Sequence, residues 1–232
     1  MSSEARRAVV TGSSSGIGLA IARQLLAQGW QVTGLDRAAP VLDDAAFTAL
    51  RVDLADPAGV DAVLPHLPAA EAFVHAAGVL RVGRLGALDA SAGEEMWRVH
   101  VDAAARLADR IAPEMARARR GRIVLIGSRV ARGIAGRSQY AATKAALVAL
   151  ARSWAAELAP SGVTVNVVSP AATDTGMVHD AARSAEGPRV TPMGRLIQPD
   201  EVASLTMYLL SPAAAAVTGQ DVQVCGGASV EA

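Results

Sequence analysis

A single cysteine, Cys225, stands in a chain of 232 residues. That excludes an internal disulfide framework and a multi-cysteine zinc site, and it fits a reducing compartment. Aromatic residues make up only 3%, which leaves few stacking anchors. Trp97 and Trp154 are expected to pack on helices, and Tyr208 near the C-terminal core. Neither sign of charge dominates: Lys+Arg 22 balance Asp+Glu 22. A general nucleic-acid or membrane-surface binder would need a basic excess to neutralise phosphates, so neither partner is expected. Long apolar runs are missing too. Ala145 to Ala151 is bounded by Lys144 and Arg152, far short of the about 20 residues that span a bilayer. The opening MSSEARRAVVTG contains no apolar stretch that would serve as a signal h-region. The reading is a soluble, cytoplasmic protein. What the chain does have is apolar mass, 51% hydrophobic against 19% charged, which excludes disorder and suffices for one large core.

Short β-branched runs alternate with longer Ala/Leu-rich segments. Strands are expected over Ala8 to Thr11, Gln31 to Asp36, Ala49 to Asp53, Ala72 to His75, Arg122 to Ile126, Val163 to Val168 and Asp221 to Cys225. Helices are expected over Gly16 to Gly29, Glu94 to Arg119 with Gly121 as stop, Tyr140 to Ala159, and Pro199 to Leu210. Repeated βα units with apolar strands predict an α/β fold: a single Rossmann-type doubly wound domain over residues 1–232, its seven-stranded parallel sheet covered by helices on both faces. The long irregular segment from Thr175 to Gln198 follows the sixth strand. It would lie over the carboxyl ends of the strands, where ligands bind in open α/β sheets, and serve as a substrate loop.

The first strand runs into Thr11-Gly12-Ser13-Ser14-Ser15-Gly16-Ile17-Gly18, and a helix follows. Gly12 permits a tight turn, Gly16 lets the backbone approach a pyrophosphate, and Gly18 allows close helix–strand packing. The helix N-terminus offers free N–H groups to phosphate. The strand–loop–helix context turns a weak glycine triplet into a dinucleotide-binding signal. Asp36 ends the second strand, where a carboxylate can accept hydrogen bonds from the adenine-ribose hydroxyls and repel a 2′-phosphate. That favours NAD. Arg37 beside it could pair with a 2′-phosphate, so NADP is the alternative.

Tyr140 and Lys144 stand four apart at a helix start and so share a face. A free phenol titrates near 10, and a neighbouring ammonium favours the phenolate. At ~4 Å and an effective dielectric of ~20 the attraction is about 4 kcal/mol, roughly three pKa units as an upper figure. That brings the phenol toward the range useful for general acid–base work. Chain order places Ser128, after the fifth strand, near the pair, where its hydroxyl would hold a substrate oxygen.

These motifs together resemble the short-chain dehydrogenase/reductase family over essentially the whole chain. They are the Thr-Gly-x-x-x-Gly-x-Gly loop, Asp53-Leu54, Ala77-Gly78, Ser128, Tyr140-x-x-x-Lys144, and Asn166 to Pro170 with Thr175. The resemblance implies hydride transfer between a nicotinamide cofactor and a secondary alcohol or ketone. Tyr140 would be the general acid/base, Lys144 would lower its pKa and contact the nicotinamide ribose, and Ser128 would orient the substrate oxygen. The cofactor would be held by Gly12, Ser14, Gly16, Ile17 and Gly18 in the loop, by Asp36 and Arg37, and by Asp53 and Leu54 at the adenine. Ala77, Gly78, Tyr140, Lys144, Pro170, Thr173 and Thr175 would complete the set, with Thr175 on the carboxamide. No metal is implied. Family members commonly form tetramers through long helices, so a homotetramer, or a homodimer, is expected.

Some positions depart from the family's pattern. Its Asn-Asn-Ala-Gly reads His75-Ala76-Ala77-Gly78 here. The Asn that completes its catalytic tetrad, and helps to place a relay water, falls on His100. With an ordinary pKa near 6.5, His100 is a candidate for that relay, and a purely packing role is the alternative. Ala171 follows Pro170 where a glycine is usual. Within the family, Val32 to Asp36, Ala76 to Gly83 and Val167 to Pro170 leading to Thr175 are similar to 2,3-dihydro-2,3-dihydroxybenzoate dehydrogenases, which oxidise a cyclic dihydrodiol with NAD. Arg81, Arg129 and Arg132 follow strands four and five and are candidates to face a carboxylate, with solvated surface as the alternative. Two further readings stand: an NADP-linked carbonyl reductase using Arg37, and a non-catalytic nucleotide-binding scaffold or sensor.

Overall fold

A computed structural model describes residues 5–179 and 190–230. Seven parallel strands form one sheet in the order β3-β2-β1-β4-β5-β6-β7. They are β1 (Arg7–Thr11), β2 (Gln31–Asp36), β3 (Phe47–Arg51), β4 (Ala72–His75), β5 (Gly121–Ile126), β6 (Val163–Pro170) and β7 (Asp221–Val224). The principal helices are α1 (Gly16–Ala27), α2 (Pro57–Val63), α3 (Ala90–Trp97), α4 (Ala103–Ala118), α5 (Ser138–Leu158), α6 (Gly176–His179) and α7 (Pro199–Leu210).

Successive strand residues point to opposite faces, and both faces are buried, so the central strands read as continuous apolar runs. In β1, Val9 joins a core with Leu107, Ile111 and Leu147 of α4 and α5. Its neighbours Ala8 and Val10 join the opposite core with Ile21 and Leu25 of α1 and Val202 and Leu209 of α7. All eight residues of β6 are buried. β3 is an edge strand and is partly exposed along its length. The order reverses between β1 and β4, and that switch point opens the crevice in which the cleft lies.

Boundaries expected from sequence shift where local chemistry outweighs pattern. β3 lies two residues earlier than Ala49 to Asp53, because Asp53 ends the strand by accepting the N–H of Ala55. The helix expected from Glu94 begins at Ala90, where Asp89 caps it by accepting the N–H groups of Ser91 and Ala92. It then widens into one π turn, Arg98–Asp102, before continuing as α4. The turn that ends α4 is left-handed at Arg119 (φ 51°). Gly121 opens β5 instead of stopping the helix, and a Cβ there would meet the Met115 side chain at 2.6 Å. Of the segment expected as a substrate loop, residues 180–189 lie outside the described residues. Its base is closed where Thr173 bridges to Ile197.

Candidate active site

The loop between β1 and α1 is shaped by contacts that only glycine permits. Gly12 has φ +70°, and a Cβ on it would meet the Ala77 backbone at 2.9 Å. A Cβ on Gly18 would lie 2.2 Å from the carbonyl oxygen of Gly12. The loop is fastened to β2 through Asp36, whose Oδ2 accepts the Ser14 N–H at 3.0 Å while Oδ1 accepts the Ala38 N–H at 2.9 Å. It is fastened to β4 through Thr11, whose Oγ1 accepts the N–H groups of Ala76 and Ala77, each at 3.1 Å.

A cleft of about 1350 Å³ opens above these carboxyl ends. Gly12, Gly16, Ile17, Gly18, Asp36, Arg37, Asp53 and Leu54 line one end of it, and Ala77, Gly78, Pro170, Thr173 and Thr175 its middle. Ser128, Tyr140 and Lys144 line it as well. Two of the expected site residues stand off the lining: Ser14, which gives its N–H to Asp36, and His100, which lies buried behind the wall. Arg84, Arg137 and Ala228 line the cleft without having been singled out in the sequence, where nothing distinguishes them from surface residues. The volume, the glycine cradle at a helix N-terminus and the carboxylate at the end of β2 fit a nicotinamide dinucleotide.

The three reactive side chains are all buried. Ser128 ends its loop by accepting the Val130 N–H on Oγ at 3.2 Å, which leaves the hydroxyl proton available to a ligand. Lys144 donates from Nζ to the Ile126 carbonyl at 2.8 Å. Burial pulls its pKa down to about 7. Nζ lies 5.8 Å from the centre of the Tyr140 ring.

Behind them stand the two histidines that depart from the family pattern, and both are fully committed. Thr11 Oγ1 already accepts two N–H groups, so its proton goes to Nδ1 of His75 at 3.0 Å. His75 therefore carries its proton on Nε2 and donates it to the Val99 carbonyl, in the π turn, at 3.1 Å. Burial first, then the Lys144 charge, lowers its pKa to about 3. His100 is the opposite tautomer. Its Nε2 accepts the Val79 N–H at 3.0 Å. Thr143 Oγ1 donates to the Tyr140 carbonyl at 2.9 Å and so accepts from Nδ1–H of His100 at 2.8 Å. The imidazole also meets the Tyr140 ring edge-on, with centroids 5.6 Å apart. Burial, then Lys144 and His75, hold its pKa well below the usual value.

Of the three arginines expected near a substrate, Arg81 is paired with Glu95 at 3.1 Å. Arg132 donates to the Ser229 carbonyl at 3.2 Å. Arg129 lines the cleft and donates from Nη1 to the Ala228 carbonyl at 2.6 Å.

A doubly wound sheet with a glycine cradle at its switch point, and Ser, Tyr and Lys in the same cleft, defines a nucleotide-dependent oxidoreductase. Comparison with known proteins narrows the class. Residues 12–229 match the family model described as enoyl-(acyl carrier protein) reductase. The chain is 35% identical over 241 residues to 3-oxoacyl-(acyl-carrier-protein) reductase FabG of Salmonella typhimurium, covering 98% of each chain. It is 36% identical over 240 residues to 2,3-dihydro-2,3-dihydroxybenzoate dehydrogenase of Escherichia coli, covering 96% of each. Among solved structures, a short-chain dehydrogenase/reductase family protein superposes with TM-score 0.90 at 32% identity over 100% of both chains. A candidate NAD(P)-dependent gluconate 5-dehydrogenase of Beutenbergia cavernae, with NADP at low occupancy, gives 0.90 at 32% over 97% of both. The chain belongs to the short-chain dehydrogenase/reductase family, and it is an NAD(P)-linked oxidoreductase acting on CH–OH groups. Among the described residues no helix is long and apolar enough to cross a membrane, and no group of three or more His, Cys, Asp or Glu is placed to hold a metal ion.

Proposed function

We propose that the chain oxidises a secondary alcohol, in a ring or dihydrodiol, with NAD as acceptor. The observation that carries this reading is Asp36, a carboxylate that ends β2, lines the cleft and is locked in place by two backbone N–H groups. A fixed negative charge there repels a 2′-phosphate and leaves lone pairs for ribose hydroxyls. Gly12, Gly16, Ile17, Gly18, Asp53 and Leu54 would hold the cofactor's adenosine and pyrophosphate part, and Ser14, off the lining, would steady their loop through its N–H to Asp36. Ala77, Gly78, Pro170, Thr173 and Thr175 would hold the remainder. When bound, the nicotinamide cofactor would supply a hydride acceptor for the alcohol carbon.

The protein's own groups handle the proton. Ser128 donates its free hydroxyl proton to the substrate oxygen and orients it. Tyr140, as phenolate, takes the proton of the substrate hydroxyl, and in the reverse direction returns it to the carbonyl oxygen. Lys144, when charged, favours the phenolate. His100 is a positioning residue in this scheme. Both its nitrogens are engaged, and through Thr143 it fixes the first two turns of α5, which carry Tyr140 and Lys144. The protein works in the cytoplasm as a homotetramer or homodimer, which light scattering would measure.

Arg37 motivates a second reading, an NADP-linked reductase. It borders the cleft beside Asp36, and its backbone carbonyl accepts from Nε of Arg51, which stands off the lining, at 3.0 Å. Calorimetric titration with NAD and with NADP separates the two. Tyr140→Phe is expected to lose turnover by at least about a hundredfold, the scale of acid–base catalysis, with cofactor affinity kept. Retained turnover would overturn the role given to Tyr140.

A further inference from the structure

Among the described residues, no carboxylate balances the cations at the Tyr140 end of the cleft. Among the described residues, the only carboxylates lining the cleft are Asp36 and Asp53, both at the opposite end, on β2 and just beyond β3. The Tyr140 end is lined by Arg84, Arg129 and Arg137. Two loops bring Arg84 and Arg137 together. The chain after β4 is bridged to the chain before α5 at Gly83 and Arg137, with the Gly83 N–H donating to the Gly136 carbonyl at 3.0 Å. The Arg84 side chain lies along Gly136, where a Cβ would come 3.8 Å from its Cγ. Neither guanidinium has a hydrogen bond or ion pair among the described residues, whereas Arg81, nearby in sequence, is neutralised by Glu95. Arg129 spends one N–H on the Ala228 carbonyl, and a guanidinium has five.

A guanidinium presents a planar fork that matches the two oxygens of a carboxylate, and such charge-assisted bonds strengthen where water is partly excluded. We infer that the substrate is a small anion, a secondary alcohol carrying a carboxylate that seats on Arg84 and Arg137 with Arg129 beside it. This rests on the oxidoreductase reading above and adds the substrate's charge to it. A carboxylate is favoured over a protein-borne acyl group because these arginines line the same cleft as Ser128 and Tyr140.

The test uses matched ring alcohols that differ in one group: 3-hydroxycyclohexane-1-carboxylate, its methyl ester and its amide, each assayed with the purified protein and NAD. The acid is expected to exceed the ester in kcat/KM by about ten- to a hundredfold, mostly through KM, the scale of one or two charge-assisted bonds. In Arg84→Ala and Arg137→Ala that advantage should shrink to below about threefold, and Arg137→Lys should restore part of it. Equal or better turnover of the ester, or an advantage that survives both alanine variants, would overturn the inference while leaving the oxidoreductase reading intact. So would a preference for a 3-oxoacyl thioester over every small acid. If none of the three alcohols turns over, calorimetry with cyclohexanecarboxylate and cyclohexanecarboxamide decides. Selective binding of the acid, lost in the alanine variants, supports the inference, and its absence overturns it. Failure of NAD and NADP to bind would instead break the oxidoreductase reading itself.

Discussion

At the β1–β2 end of the cleft the walls are made of backbone: glycines in close contact, amide groups, and one carboxylate tying them down. At the Tyr140 end they are made of side chains carried on three loops and one helix. The first kind of site demands particular residues, because a Cβ at Gly12 or Gly18 collides with neighbouring main chain. The second tolerates many substitutions, since an exposed arginine can change without disturbing packing. A family can therefore keep one cofactor end and exchange the other, and the relatives of this chain carry different substrates in their names.

The sharpest break of this contrast is Gly18→Ala. Its Cβ would lie 2.2 Å from main chain that cannot swing aside, so the expected cost is about 3 kcal/mol or more. It should appear as a large fall in Tm together with loss of cofactor binding. Lys144→Met goes the other way. With burial holding Lys144 near 7 against 10.5 for a free lysine, carrying it costs about 4 kcal/mol at neutral pH, and the cost falls as pH rises toward 10. Part of the gain is offset because the Ile126 carbonyl loses its donor. The variant should be about 1–3 kcal/mol more stable in denaturant melts without ligand, and inactive.

His75 and His100 have folded pKa values below 6.5, so each contributes stability that is complete above that pH and drains away as pH falls. For His75 the window runs from 6.5 down to about 3, and the slope is about 1.4 kcal/mol per pH unit. His75→Asn should flatten the acid limb of the stability profile by that amount, measured as denaturation midpoint against pH. The smallest effect is expected at Asp36. Asp36→Ala frees the Ser14 and Ala38 N–H groups and should weaken NAD about tenfold, near 1.4 kcal/mol, while narrowing its margin over NADP. An unchanged preference would hand cofactor selection to Arg37.

The same contrast explains what the sequence made legible. The glycine loop, Asp36 and the Tyr140–Lys144 spacing are local patterns with one physical meaning, and the structure brings them to one cleft. α1, β2, β4 and α7 follow their periodicity closely. α2 went unseen because it is seven residues long with only Val60 buried. The π turn has no periodic signature; it shows only through the hydrogen bond from Ala103 back to Arg98 and the His75 contact to Val99. The tautomers of His75 and His100 depend on Thr11 and Thr143, 64 and 43 residues away. Arg84 and Arg137 become neighbours only when two loops bridge, which no spacing along the chain foretells.

One consequence of the lysine seated against the Ile126 carbonyl concerns water outside the protein. Near neutrality its amine is about half charged, so a ligand that settles beside it and prefers an ammonium must draw a hydrogen ion from solution. The heat of cofactor binding should then change with the ionisation enthalpy of the buffer, and affinity should weaken as alkalinity rises. A dinucleotide pocket arranged in this way reports the acidity of its surroundings as well as the concentration of its ligand.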